Sequence, residues 1–131
     1  MEILNIKTFQ RIDFIDITFE IEKKIKESGV AEGLCCLFVP HTTAGLTINE
    51  NADPSVKNDI KLKINSLIPY KESYTHNEGN SDAHIKSTLF GPSLSIIING
   101  GRLVLGTWQG IYFCEFDGPR NRNLYIKILA G

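Results

Sequence analysis

Cysteine is scarce and unpatterned. The three cysteines, Cys35, Cys36 and Cys114, form no Cys-x-x-Cys pair, which argues against a disulfide framework or a thiolate metal site. Cys35 and Cys36 are neighbours on an expected strand and point to opposite faces, while Cys114 lies in the apolar run IYFCEF; all three read as buried, inert thiols. No apolar run reaches the roughly 20 residues that span a bilayer, so no membrane partner is expected. The opening MEILNIKTFQ lacks the basic start and apolar core of a signal peptide, and the expected compartment is the cytoplasm. An excess of charge of one sign is missing too. Fourteen basic residues against fifteen acidic leave a net charge of −1, which gives no general surface for nucleic acid. Repeats, low-complexity tracts and linkers are absent.

What remains is the composition of one globular domain. The 131 residues, 42% hydrophobic and 22% charged, are enough to bury a core and too few for two ordinary domains. Alternation predicts strands at 3–8 and 12–18, the second slipping near Phe19 into a short helix with Ile21 and Ile25 four apart and Gly29 as its cap. A strand over 33–39 follows, ended by Pro40, and then a short extended stretch at 46–48. Asp53 and Pro54 open the clearest helix, in which Val56, Ile60, Ile64 and Leu67 recur every three or four residues until Pro69. A shorter helix runs from Ser81 or Asp82 to Phe90 and closes at Gly91. The remainder reads as strands at 93–98, 102–107, 110–117 and 122–129, with Asn99-Gly100-Gly101 as a hairpin turn. The expected fold is α+β: one compact domain, residues 1–131, with a mixed or antiparallel sheet and a few helices.

Only three histidines are present, His41, His76 and His84, at a strand end, in a polar loop and in the first turn of a short helix. Imidazole is the usual ligand of zinc-like ions, and three with an open position form a catalytic pattern. No His-x-His or His-x-x-x-His spacing supports it, and a solvated histidine remains the alternative for each. Asp82 either caps the helix of His84 or orients a histidine. Glu50 is a candidate general base or a surface carboxylate. Arg120 and Arg122 stand two apart after Gly118-Pro119, so on an extended segment they share a side, either as an anion fork or as a solvated hairpin end. Trp108, the single tryptophan, could stack on a flat ligand, plug an interface or edge the core, and Gln109 offers an amide beside it.

Taken together, HTTAGLTINE, YTHNEGNSDAHIKSTLFGPS and GGRLVLGTWQGIYFCEFDGPR resemble the YjbQ-type family, labelled secondary thiamine-phosphate synthase, over nearly the whole chain. The resemblance implies a compact α+β homotrimer. It also implies one convergent site: His41, His76 and His84 as metal ligands, Thr42, Thr43, Trp108, Gln109, Arg120 and Arg122 around substrate, and Glu50 or Asp82 as acid-base groups. Asp59 also falls where the family carries an acid, and Ser81 stands where alanine is common. The implied reaction joins a pyrimidine pyrophosphate to a thiazole phosphate. The dedicated enzyme for that reaction is a TIM barrel of about 200 residues or more, so this chain would use an unrelated scaffold. Three imidazoles favour a zinc-like divalent ion, whereas pyrophosphate chemistry usually employs magnesium. The expectation is therefore a metal-dependent enzyme on a phosphorylated small molecule, with thiamine phosphate synthesis as a side activity. The alternatives are a metal-assisted phosphoester hydrolase and a non-catalytic trimer that binds a metabolite or anion.

Overall fold

The computed structural model describes residues 1–131. In chain order the elements are β1 (Glu2–Lys7), β2 (Asp13–Asp16), α1 (Thr18–Ser28), β3 (Glu32–Phe38), β4 (Ala44–Glu50), α2 (Pro54–Leu67), α3 (Ser81–Phe90), β5 (Ser93–Asn99), β6 (Arg102–Leu103), β7 (Gln109–Glu115) and β8 (Asn121–Ala130). All strand pairs are antiparallel, in a five-stranded sheet ordered β1-β8-β3-β5-β6 and a three-stranded sheet ordered β2-β7-β4.

Strand β7 shows how the layers stack. After Gln109 every residue of it is buried, so both of its faces must be covered. Ile111 and Phe113 join the main core with Leu37 of β3 and Leu124 and Ile126 of β8, which places one face against the larger sheet. Tyr112, Cys114 and the following Phe116 cluster with Phe14, Ala83 of α3 and, at the edge, Ile60 of α2 and Phe90. Helix α3 thus lies over the other face, with α2, which has no buried residue, at its edge. Each fully buried aliphatic or aromatic side chain contributes about 1.5–3 kcal/mol, and these two clusters set the layer order. Helix α1 plugs one margin of the main core with Ile21 and Ile25, both fully buried.

Local chemistry fixes the helices. The Asp53 side chain accepts the Ser55 N–H, and Pro54 occupies the first turn of α2. Helix α3 closes onto β4, where a Cβ on Gly45 would lie 2.9 Å from the Gly91 carbonyl oxygen, so only glycine admits that approach. Ser87 Oγ donates to the Ala44 carbonyl at 2.7 Å and pins the helix to the strand. The second strand is shorter than alternation predicts, since α1 begins at Thr18; Asp16 accepts from the Thr18 N–H and turns the chain. The sixth is shorter still, because Gly106–Gln109 forms a turn in which Gln109 Oε1 accepts the Gly106 N–H at 2.7 Å.

The outer face of the five-stranded sheet is bare. Ile3, Leu34, Phe38, Ile97 and Leu129 are exposed, and the register sets Leu34 beside both Ile97 and Leu129.

Candidate functional site

Strands β7 and β8 end in an ion pair rather than in apolar side chains. Alternation puts Glu115 on the same face as Ile111 and Phe113, and Arg122 on the same face as Leu124 and Ile126. Both therefore point between the two sheets, and Glu115 is fully buried and Arg122 nearly so. Arg122 Nε donates to Glu115 Oε1 at 2.8 Å, Nη2 donates to Oε2, and Nη2 also donates to Thr43 Oγ1 at 2.7 Å. Thr8 Oγ1 donates to Glu115 as well. Burial pushes the Glu115 carboxyl up, but the Arg122 guanidinium, the Asp117 N–H and the Thr8 hydroxyl outweigh it and hold the group below the usual carboxylate range.

The expected arginine fork is accordingly split. Arg122 is committed inside the sandwich, whereas Arg120, in the turn before β8, is half exposed and donates through Nη2 to Asp117 Oδ2 at 3.0 Å. The extended spacing fails because the chain bends between Phe116 and Arg120 and enters β8 only at Asn121.

His41 follows β3 and accepts the Asn123 N–H at Nε2, 2.9 Å away. That bond leaves the proton of the neutral ring on Nδ1. Burial and the neighbouring Arg122 cation hold its pKa below the ordinary histidine value, against the pull of Glu115.

His76 and His84 meet elsewhere, on the helical layer. Their ring centroids are 5.5 Å apart and nearly perpendicular, on the walls of a cavity of about 320 Å³ lined also by Tyr74, Thr75, Ser81 and Ile85. Two imidazoles on one tetrahedral ion, each bonded at about 2.1 Å, have centroids roughly 5 Å apart, a separation close to that of this pair, which is also that of an edge-on aromatic contact. Glu78 lies nearby, with Oε2 3.7 Å from His76 Nε2. The three-histidine centre is not assembled within one chain: His41 lies outside this cavity, and no three His, Cys, Asp or Glu side chains are gathered to hold a metal. The physical reason is that the Asn123 N–H fixes His41 at the sheet end, while α3 and its preceding loop carry the other two.

The cavity connects to the β7–β8 turn. Asn80, just before α3, donates from Nδ2 to Asp117 Oδ2 at 3.0 Å, and Asp117 holds Arg120. The Asn80 side chain does not cap α3: its carbonyl takes the Ala83 N–H at 3.0 Å, while Oδ1, the atom that would cap, is buried and unpaired.

Asp82 faces away from the histidines. It is fully buried, takes a two-point contact from Arg11 at 2.8 and 3.0 Å, and accepts from Lys86 Nζ at 2.8 Å. Burial raises its carboxyl pKa, yet these two cations bring it below the ordinary value. A carboxylate bound this way is not free to take a proton from water.

Glu50, Trp108 and Gln109 are at the far end of the β4–β7 pair. Glu50 is paired with Gln109 and Ala44 with Glu115, and this separation of six residues is about 20 Å of strand. Trp108 is largely exposed. Within one chain these residues do not reach Glu115 or Arg122, nor do they line the His76–His84 cavity. Thr43 is held by Arg122, and Thr42 is exposed beside it.

Sequence reasoning missed Glu115, Arg11, Lys86, Asn80 and Glu78. Two had a signal: Glu115 shares its alternating face with Ile111 and Phe113, and Lys86 lies four residues after Asp82 on one helix. Arg11 had none, since its partner is 71 residues away.

A family model described as UPF0047 protein YjbQ-like matches residues 2–131. The UPF0047 protein MJ1081 of Methanocaldococcus jannaschii is 59% identical over 125 residues, covering 95% of this chain and 91% of that protein. YugU of Bacillus subtilis, also a UPF0047 protein, is 52% identical over 131 residues and 99% of both chains. A crystal structure of a YjbQ/UPF0047 family protein from Clostridium acetobutylicum superposes with a TM-score of 0.96 at 53% identity, covering 98% of this chain and all of the other.

Proposed function

The chain belongs to the YjbQ-like (UPF0047) family, and from this membership and the site geometry we propose that it is a metal-dependent enzyme acting on a small phosphorylated molecule. The observation that carries the reading is the imidazole pair, 5.5 Å between centroids, on the wall of a cavity that also holds hydroxyl donors. His76 and His84 would hold a zinc-like divalent ion, with water, substrate oxygen or a second copy of the chain filling the remaining positions. Such an ion supplies Lewis acidity and lowers the pKa of a bound water. Ser81, Thr75 and the open first turn of α3 supply donors to phosphate oxygens. Arg120, joined to Asn80 through Asp117, brings guanidinium donors to that side, its charge balanced by Asp117. His41, held neutral, offers Nδ1–H as a further donor near Arg120 and Arg122.

Thiamine phosphate synthesis, as a side activity in the cytoplasm, is the finer version suggested by family resemblance. Metal-assisted phosphoester hydrolysis is the second version. It meets a difficulty at Asp82, whose ion pairs leave the cavity without a free carboxylate base from that position. Self-association as a homotrimer belongs to the same proposal: the bare apolar face of the large sheet supports it, and a second copy could bring its Trp108, Gln109 and Glu50 to the site that they cannot reach within their own chain.

Zinc titration of chelator-washed protein tests the reading, beside His76→Ala, His84→Ala and His41→Ala. About one ion per chain, lost in the first two variants and kept in the third, is the expected result. Metal-dependent turnover of pyrimidine pyrophosphate plus thiazole phosphate, or of a phosphoester panel, then chooses between the versions. A wild-type protein that retains no metal, or binds anions without turnover, overturns the enzyme reading in favour of a binding module.

A further inference from the structure

We infer that Asp82, with Arg11 and Lys86, is a positioning clamp that sets both walls of the His76–His84 cavity. The inference rests on the reading of those histidines as a metal pair. Its basis is how the three charges are distributed over the chain. Asp82 and Lys86 are one turn apart on α3 and both are buried, at 0% and 1% of side-chain exposure. Lys86 Nζ reaches a second acceptor, Asn65 Oδ1 of α2, at 2.8 Å. Asp82 also holds Arg11, from the loop between β1 and β2, through both guanidinium Nη atoms. The Arg11 guanidinium carbon in turn lies 3.6 Å from the centroid of the Tyr70 ring, at the start of the loop that carries His76.

One carboxylate therefore constrains two separate things. Residues two apart on a helix project from nearly opposite sides, since each step turns about 100°. Fixing Asp82 and Lys86 inward fixes His84 toward the cavity. The other arm, Arg11 stacked on Tyr70, anchors the start of the 70–80 loop, and the Asn80–Asp117 bond anchors its end. His76 is carried between these two anchors. A guanidinium fork on a carboxylate defines direction as well as distance, which an apolar contact at the same place would not. Groups behind a metal ligand typically change metal affinity 10–100-fold when removed.

The test uses the whole protein and three kinds of variant. Asp82→Asn keeps the shape and removes the charge. Arg11→Gln cuts only the loop arm and leaves the Asp82–Lys86 pair, so it serves if Asp82→Asn does not fold. Ile25→Ala truncates a fully buried core residue on α1 and controls for lost stability alone. Zinc affinity is measured by calorimetry, melting temperature alongside it, and the ring-to-ring nuclear Overhauser effect between His76 and His84 in metal-free protein. The expected result is zinc affinity at least tenfold weaker in Asp82→Asn and Arg11→Gln, loss of the ring-to-ring effect in both, and Arg11→Lys recovering part of each. Ile25→Ala should melt lower yet bind zinc as the wild type does. Variants that melt lower but keep both zinc affinity and the ring-to-ring effect would make the clamp an ordinary buried ion pair and overturn the inference. Wild-type protein that binds no zinc overturns the metal reading instead; the ring-to-ring effect then decides the clamp, supported by its loss in Arg11→Gln and overturned by its persistence.

Discussion

Glu115 and Arg122 occupy positions that alternation reserves for apolar residues. The pair survives there because each charge has its partner and further hydrogen bonds from Thr8 and Thr43. Removing one side strands the other, which typically costs 3–5 kcal/mol. Glu115→Gln is therefore expected to lower unfolding free energy by about 3 kcal/mol or more in urea titration. Acid should act the same way. The Glu115 and Asp82 carboxyls both titrate below their ordinary values. Their contribution is present above the usual carboxylate range, about pH 4, and is lost as pH falls through the lowered folded values. Melting temperature should fall steeply below about pH 4, and less steeply in Glu115→Gln. His41 has the opposite kind of group and its own window. Its folded pKa is depressed, so between that value and about 6.5 the unfolded chain binds more protons and stability rises with pH. Its NMR titration should have a midpoint below about 6.5. Replacing Arg122 with glutamine should raise that midpoint, since a nearby cation is removed.

Among the elements, α2 was fully legible: the Asp53 cap, Pro54 and the three-or-four spacing lie side by side in sequence, and the helix starts at Pro54. Asp53→Ala should cost about 1 kcal/mol, read by chemical denaturation, because the Ser55 N–H loses its acceptor. The strands were legible as alternation but their ends were not. A strand ends where its chain leaves its partner, as β6 does after Leu103 although β5 runs on from Ile98 to Ser93, and the partner lies elsewhere in the chain. Gly33 shows the same dependence. A Cβ there would fall 1.9 Å from the Leu129 carbonyl oxygen, so Gly33→Ala should disrupt the β3–β8 pairing and lower the melting temperature sharply, although nothing near Gly33 in sequence marks that approach.

At the scale of the molecule, the large sheet presents Ile3, Leu34, Phe38, Ile97 and Leu129 on one uncovered face. No helix of the fold is long and apolar enough to cross a membrane. If that face joins copies of the chain, as proposed, Phe38→Asp combined with Ile97→Asp should shift the protein to monomers in sedimentation analysis, leaving its circular dichroism unchanged. Persistence of the oligomer in that variant would move the interface to another surface.

By itself the sequence determined the α+β class, the helix starts, the strand alternation and the family, because each is written in neighbouring residues or in motifs of short span; it expected three buried cysteines, but only Cys35 and Cys114 are buried, while Cys36 is half-buried on the outward face of β3. Only the tertiary structure decided the site. It separated Arg120 from Arg122, put Trp108 and Gln109 a strand's length from Glu115, tied Asp82 to Arg11 across 71 residues, and brought the rings of His76 and His84 together without His41. Which side chains meet depends on how two sheets and a helical layer stack, and long-range pairing of that kind leaves no periodic trace along the chain.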